Sequence, residues 1–321
     1  MAEPAPSATS WGGDEGVGPS AVIVAQSNAS DQALLDACEQ ARSAGVTIQI
    51  VATASADQTA GVLDQLRGEG VTNIVAAGGD GMVSGVAAAL AGHDRQAGEG
   101  PCMGVLPMGT GNDFATACGV PTDDPARALR LALSAPPRHV DLGFANDRPF
   151  INMCTMGVPA ELSAEIDPDM KQRFGRLAYA CFGVMRIGRA RAVELEVTAG
   201  DWSWAGPCLG VMVANGRETG GGFTVASEAL LNDGRLDGLI VPDLPLKDWL
   251  TLAIDMRAAQ VEPKLDELPA WQGDRATLRF AEPVQFTLDG EPDQEGSIQF
   301  RVARDALRMR LPFEAPLAES V

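Results

Sequence analysis

A chain of 321 residues, 45% of them hydrophobic, is too long for one small core and suits two domains. Its formal net charge of −19 argues against a nucleic-acid-binding protein, because no basic surface of comparable weight is available to neutralise phosphates. Its six cysteines (Cys38, Cys102, Cys118, Cys154, Cys181 and Cys208) are scattered and never form Cys-x-x-Cys, which argues for buried reduced thiols and against zinc.

The start, Met1 to Ser20, is rich in Pro, Ala, Gly and acid. It lacks a basic opening and an apolar stretch, so residues 1–19 read as a disordered leader and not as a signal peptide. Ala21–Ala25 reads as a strand. Asp31–Ser43 reads as a helix capped by Ser30 or Asp31, with Leu34, Leu35, Cys38 and Ala41 on one face. Val46–Thr53 is a second strand, and Asp57–Arg67 a second helix closed by Gly68 and Gly70. Val71–Ala76 is a third strand, Val83–Leu90 a helical segment, Met103–Leu106 a fourth strand and Asp123–Ser134 a capped helix. Strands alternating with helices predict a parallel sheet wrapped by helices, of Rossmann-like type, whose ligands lie beyond the carboxyl ends of the strands. After His139-Val140-Asp141 short alternating runs take over: Val193–Thr198, Leu209–Ala214, Leu236–Val241, Ala276–Phe280, Val284–Leu288 and Ser297–Val302. They predict an antiparallel β-sandwich, interrupted by helices at Lys171–Arg186 and Leu246–Ala259. No apolar run approaches the length of a membrane span.

Two glycine loops fall at the expected ligand edge of the first domain. The first, Gly78-Gly79-Asp80-Gly81-Met82-Val83-Ser84, follows the third strand and opens a helix. Glycines let backbone approach a ligand closely, and a helix N-terminus offers free N–H donors to phosphate. An aspartate there would repel phosphate unless a divalent metal intervened, which makes Asp80 a candidate partner of a metal–nucleotide. Taken alone the loop is unspecific: Gly79-x-Gly81-x-x-x-Gly85 misses the dinucleotide spacing, no GxxxxGK[ST] loop occurs, and a turn closing a βα unit would look the same. The second loop, Pro107-Met108-Gly109-Thr110-Gly111-Asn112-Asp113-Phe114-Ala115, follows the fourth strand. It reads either as a turn with Asn112 or Asp113 capping a helix, or as a second wall for the same nucleotide with Thr110 donating to phosphate.

Two of the Asp-Gly pairs in the β half stand out. Ala229-Leu230-Leu231-Asn232-Asp233-Gly234-Arg235 reads first as a hairpin, and also as a hard-cation loop using carboxylate and carbonyl oxygens. Leu288-Asp289-Gly290-Glu291 is again a hairpin, and Glu291 beside it is a candidate general base.

In this order, GGDG, PMGTGNDFA, NDGRLD and LDGE resemble the diacylglycerol kinase catalytic family, and NGRETGGG, ALLNDG and ALRMRLP resemble its YegS-like bacterial lipid kinases. The resemblance covers the chain after the leader. It implies a nucleotide domain over 20–140, with 304–321 returning to it, and a β-sandwich lipid and metal domain over 141–303. It implies transfer of the ATP γ-phosphoryl group to a lipid hydroxyl, of diacylglycerol or phosphatidylglycerol type. Carried over by position, Thr53, Gly78, Gly79, Asp80, Gly81, Met82, Val83, Ser84, Gly85 and Thr110 match nucleotide contacts. Glu291 matches the proton acceptor, with Asp80 also at the chemistry. Leu230, Asp233 and Arg235 match a magnesium site, Leu230 and Arg235 through their carbonyls, where Ca2+ is the other candidate ion. The family loop usually reads GGDGT followed by Asn and Glu; here Met82, Ser84 and Gly85 stand in those places, and no basic residue stands in Gln26–Ser30. These departures keep open a nucleotide- or lipid-binding pseudokinase of the same fold. A kinase of NAD shares GGDG, but the GTGNDFA loop and a basic apolar helix speak against it. That helix, Lys171 to Arg191, carries no acid, and reads as a solvated face or as a peripheral contact with the anionic inner membrane of a cytoplasmic protein.

Overall fold

The computed structural model describes residue 11 and residues 17–93, 100–157, 191–219, 223–243 and 268–318. It divides into two compact units, Met1–Asp141 with Arg304–Leu317, and Leu142–Ala303 with Ala318–Val321.

The first unit runs β1 (Ser20–Ala25), α1 (Gln32–Ser43), β2 (Ile48–Thr53), α2 (Ala56–Gly68), β3 (Asn73–Gly78), α3 (Asp80–His93), β4 (Cys102–Pro107), α4 (Asp113–Ala117) and α5 (Pro125–Ser134). The strands pair in parallel in the order β2-β1-β3-β4. Strands β3 and β4 are buried at every residue, which requires both sheet faces to be covered. Helix α1 packs with α5, and α2 with α3. Polar caps set three of the helix starts: Asp31, Ser55 and Asp124 accept the N–H groups of Leu34, Gln58 and Arg127 at 3.0, 3.2 and 3.0 Å. Helix α5 therefore starts after Asp124, with Pro125 in its first turn, and not at Asp123. Of the leader, residues 1–10 and 12–16 lie outside the described residues. Trp11 stacks against the Arg130 guanidinium, 5.0 Å from carbon to ring centroid.

The later strands are β5 (Pro137–Ala145), β6 (Arg148–Phe150), β7 (Met153–Gly157), β8 (Val193–Ala199), β9 (Trp202–Ala214), β10 (Glu218–Thr219), β11 (Phe223–Thr224), β12 (Leu236–Pro242), β13 (Ala270–Gly273), β14 (Arg275–Leu288) and β15 (Glu291–Arg310). Long strands β9 and β14 each pair with β8 along one half and with β7 along the other, all antiparallel. Strand β14 changes partner near a register break between Arg279 and Val284, the kind of irregularity by which a strand passes from one layer to another. Leu195, Val197, Val211, Val213, Leu278 and Phe286 fill the core inside, beside an edge-on Phe150–Phe300 pair at 6.2 Å. The helices expected at Lys171–Arg186 and Leu246–Ala259 lie outside the described residues.

The end of β15 belongs to the first unit. Met309 pairs in parallel with Met103 of β4, and Arg310 donates to the Asn73 side-chain oxygen at 3.2 Å and the Ala135 carbonyl at 2.6 Å.

Candidate functional site

Both glycine loops leave neighbouring strands at the same level, since Gly78 of β3 pairs with Pro107 of β4. Gly79 is the single residue between β3 and α3. A Cβ on Gly109 would lie 2.5 Å from the Gly79 Cα, so the two loops touch backbone to backbone, an approach only glycine permits. Met108 donates its N–H to the Gly78 carbonyl at 3.0 Å. Asn112, in left-handed conformation at φ 55°, clips its own loop: its side-chain oxygen accepts from Gly109 N–H at 2.9 Å and its amide donates to the Gly109 carbonyl at 2.7 Å.

The N-terminus of α4 is not capped by the Asn112 side chain, one of the two caps the local sequence suggests. The cap comes from the other loop. The Asp80 carboxylate accepts the N–H groups of Asp113 and Phe114, both at 3.1 Å. Each carboxylate oxygen keeps a further lone pair, so Asp80 can strap the loops together and still face a cation.

Helix geometry sorts the other candidates. Met82 and Val83 give their N–H groups to the Gly79 carbonyl at 3.0 and 3.1 Å. Ser84 and Gly85 lie past the first turn, where backbone N–H groups are used within the helix. That leaves the amides of Asp80 and Gly81 as the donors of this helix end. The Met82 side chain folds back on Gly78, where an added Cβ would lie 2.6 Å from the Met82 Cβ. Thr110 is exposed at the tip of the second loop. Thr53 ends β2, but its hydroxyl is buried 3.0 Å from that of Thr59, so its backbone is what remains for a ligand.

In the second unit Asp289 and Gly290 form the two-residue turn between β14 and β15, with φ values of 48° and 93°. Both positive angles define the turn that suits a twisted hairpin. Glu291 opens β15, is exposed, and is the cross-strand partner of Leu288, whose face it shares. Further along the strand, Asp293 pairs with Arg148. The sequence offers no sign that Asp289 is more than a turn residue. Its carboxylate accepts three backbone N–H groups, from Ile151 at 2.8 Å, Asn152 at 3.0 Å and Met153 at 2.8 Å.

Another Asp-Gly pair, Asp233-Gly234, is not a hairpin. It belongs to a loop between β11 and β12 in which Asp233 accepts the Arg235 N–H at 2.9 Å. Burial pushes the Asp237 carboxyl up to about 6, and the negative charge of Asp233 adds to the rise. Asp237 accepts from the Gln272 side-chain amide at 3.2 Å, and that side chain in turn accepts from Arg235 at 2.7 Å. Among the described residues no group of three or more His, Cys, Asp or Glu is placed to hold a metal. A cation here would depend on carbonyl oxygens beside Asp233, and an oxygen-only set with excess negative charge suits a hard divalent ion. The five described cysteines are buried and in no disulfide; burial raises the Cys208 thiol to about 11 and holds that of Cys154 well above its ordinary value.

Comparison with known proteins fits this arrangement. Residues 22–145 match the diacylglycerol kinase catalytic domain, and residues 152–311 match the YegS C-terminal NAD kinase beta sandwich-like domain. A Stenotrophomonas maltophilia protein named "Probable lipid kinase YegS-like" is 32% identical over 305 residues, covering 92% of this chain and 97% of its own. A protein of the same name from Citrobacter koseri is 33% identical over 300 residues, covering 93% and 97%. The crystal structure of a diacylglycerol kinase from Bacillus anthracis shares the fold at TM-score 0.71 and 20% identity, covering 92% of this chain and 97% of that one. The class is thus a two-domain protein with a diacylglycerol kinase catalytic domain and a C-terminal β-sandwich domain. Within it, this chain belongs to the YegS-like lipid kinase family. No helix among the described residues is long and apolar enough to cross a membrane.

Proposed function

We propose that the protein transfers the γ-phosphoryl group of ATP to a lipid hydroxyl of the diacylglycerol or phosphatidylglycerol type. The observation that carries this reading is the pair of glycine loops, held backbone to backbone at the carboxyl edge of a parallel sheet and strapped by Asp80. The Asp80 and Gly81 amides and the Thr110 hydroxyl bind the phosphates, with further backbone contacts from Gly78, Gly79 and the end of β2 at Thr53. Met82 takes the place of a hydroxyl and holds Gly78 by packing instead. Glu291 accepts the proton of the lipid hydroxyl, and being exposed at a strand start it is open to an entering acceptor. Phosphoryl transfer needs little covalent chemistry from the protein, so orientation and charge do most of the work.

Magnesium, when bound, supplies positive charge against the phosphates and against the Asp233 loop. Asp80 would face it at the nucleotide, and Asp233 with the carbonyls of Leu230 and Arg235 would hold it in the second unit. The acid-free stretch Lys171 to Arg191 brings the enzyme to an anionic lipid surface. The test is transfer of labelled phosphate from Mg-ATP to diacylglycerol and phosphatidylglycerol in mixed micelles. Glu291→Gln should lower turnover at least ~100-fold with ATP binding intact, and full turnover in that variant would overturn the assigned base.

A further inference from the structure

The segment Ile151-Asn152-Met153 joins β6 to β7, and all of its backbone polar groups are taken. Its three N–H groups go to the Asp289 carboxylate. The Ile151 carbonyl accepts the Asn215 side-chain amide at 2.7 Å. The Asn152 carbonyl accepts the backbone N–H groups of Asn215 and Gly216, both at 2.9 Å, and the Met153 carbonyl accepts that of Asp289 at 2.9 Å. The Asn152 side chain adds a bond to the Glu218 carbonyl at 2.9 Å. Ile151, Asn152, Met153 and Asn215 are all at most 5% exposed. One short buried segment is therefore gripped from two sides, by the aspartate of LDGE and by the asparagine of NGR.

We infer that Asp289 and Asn215 form a single positioning unit for Glu291. This rests on the reading of Glu291 as proton acceptor. Glu291 is two residues from Asp289 across a tight turn, so whatever fixes the Asp289 side chain fixes where the base stands. Asp289 is poorly suited to be the base itself, because three N–H groups stabilise its charged form. A hairpin tip is otherwise free to rock about its last pair, and misplacement of a catalytic group by about 1 Å can cost ~100-fold in rate. Asn215 works through the same segment from the opposite side, so losing either jaw releases the same element.

The test combines kinetics with amide exchange. Asp289→Asn keeps a residue tolerant of left-handed angles but sets an amide donor against backbone donors. It should lower kcat at least ~30-fold and leave KM for ATP within ~2-fold, since ATP binding is assigned to the glycine loops of the other unit. Asn215→Ala should lower kcat ~10-fold, and the double variant should lose little more than Asp289→Asn alone, because parts of one unit are not additive. Hydrogen exchange in peptides spanning 150–157 and 286–292 should speed up in both variants, with peptides of the glycine loops unchanged. If Asp289→Asn does not fold, Asn215→Ser, which loses the donor to Ile151, carries the same expectation. Wild-type kcat in Asp289→Asn, multiplying losses in the double variant, or unchanged exchange at the hairpin would each overturn the proposal. Failure of the underlying reading looks different: Glu291→Gln would then turn over normally while the exchange changes stay as predicted.

Discussion

Asp80 opens a helix in one unit and Asp289 opens a hairpin turn in the other, yet both carboxylates are spent on backbone N–H groups far along the chain. Asp80 reaches Asp113 and Phe114, and Asp289 reaches Ile151, Asn152 and Met153. Each is followed by glycine, and each ties a mobile kind of element, a loop or a turn, to a fixed one. They differ in how fully they are used. Three donors crowd Asp289 and leave it a strut, whereas two donors on separate oxygens leave Asp80 able to face a ligand. Asp233, in a third Asp-Gly pair, accepts the N–H of Arg235 two residues away, and burial together with the charge of Asp233 raises Asp237 to about 6. The same dipeptide is thus a strap in one unit and a strut in the other, according to which amides the fold delivers to it.

The sharpest way to break this comparison is to remove the strap. Asp80→Ala leaves two α4 N–H groups without their acceptor, a loss of ~1–3 kcal/mol, and frees the loops to part. Mg-ATP affinity should fall more than ~10-fold by calorimetric titration, with a lower melting temperature. An Asp80→Ala protein that melts like the wild type would show that the strap holds nothing. Asp80→Asn, which keeps one acceptor oxygen, should fall between the two.

A smaller effect is expected at the Asp233 loop, and its sign distinguishes it from the other two sites. The Asp237 pKa is raised from 3.8 to about 6, so the folded state binds this proton more tightly than the unfolded chain does. Its stabilising contribution is present below the unfolded pKa and is lost as pH rises through about 6. With divalent ions chelated, Asp237→Asn should therefore raise the melting temperature at pH 7.5 and change little at pH 3.5. Added Mg2+ should stabilise the wild type more than the variant at pH 7.5. A variant less stable than wild type under chelation would mean that Asp237 is held by favourable contacts and not strained by its neighbour.

Local signals carried far in this chain. The strand-to-glycine transitions at β3 and β4 and the Asp31 cap were visible because each is written within a few consecutive residues. The β half was harder. The runs Ala276–Phe280 and Val284–Leu288 read as two strands but form one, because Glu282-Pro283 interrupts the alternation at the register break. The partners of Asp80 and Asp289 were not legible at all. Every residue but proline offers a backbone N–H, so a side chain that binds one leaves no mark at the other end. Thr53 shows the converse: a hydroxyl at a strand end suggests a ligand contact, but Thr59, one helical turn into α2, occupies it.

The smallest predicted effect tests how far along α3 the proposed nucleotide site reaches. Gly85 matches a family nucleotide contact by position, but it lies in the second turn of α3, and a Cβ there would meet nothing within 4 Å. Alanine is favoured over glycine inside a helix by ~0.5–1 kcal/mol. Gly85→Ala should therefore raise the melting temperature by a few degrees and leave Mg-ATP affinity unchanged. If binding depends only on the first turn, where Asp80 and Gly81 keep their N–H groups, a methyl one turn further along has nothing to disturb. Affinity lost in Gly85→Ala would instead mean that the nucleotide lies along the flank of α3, and that the amide cradle at its end is only part of the site.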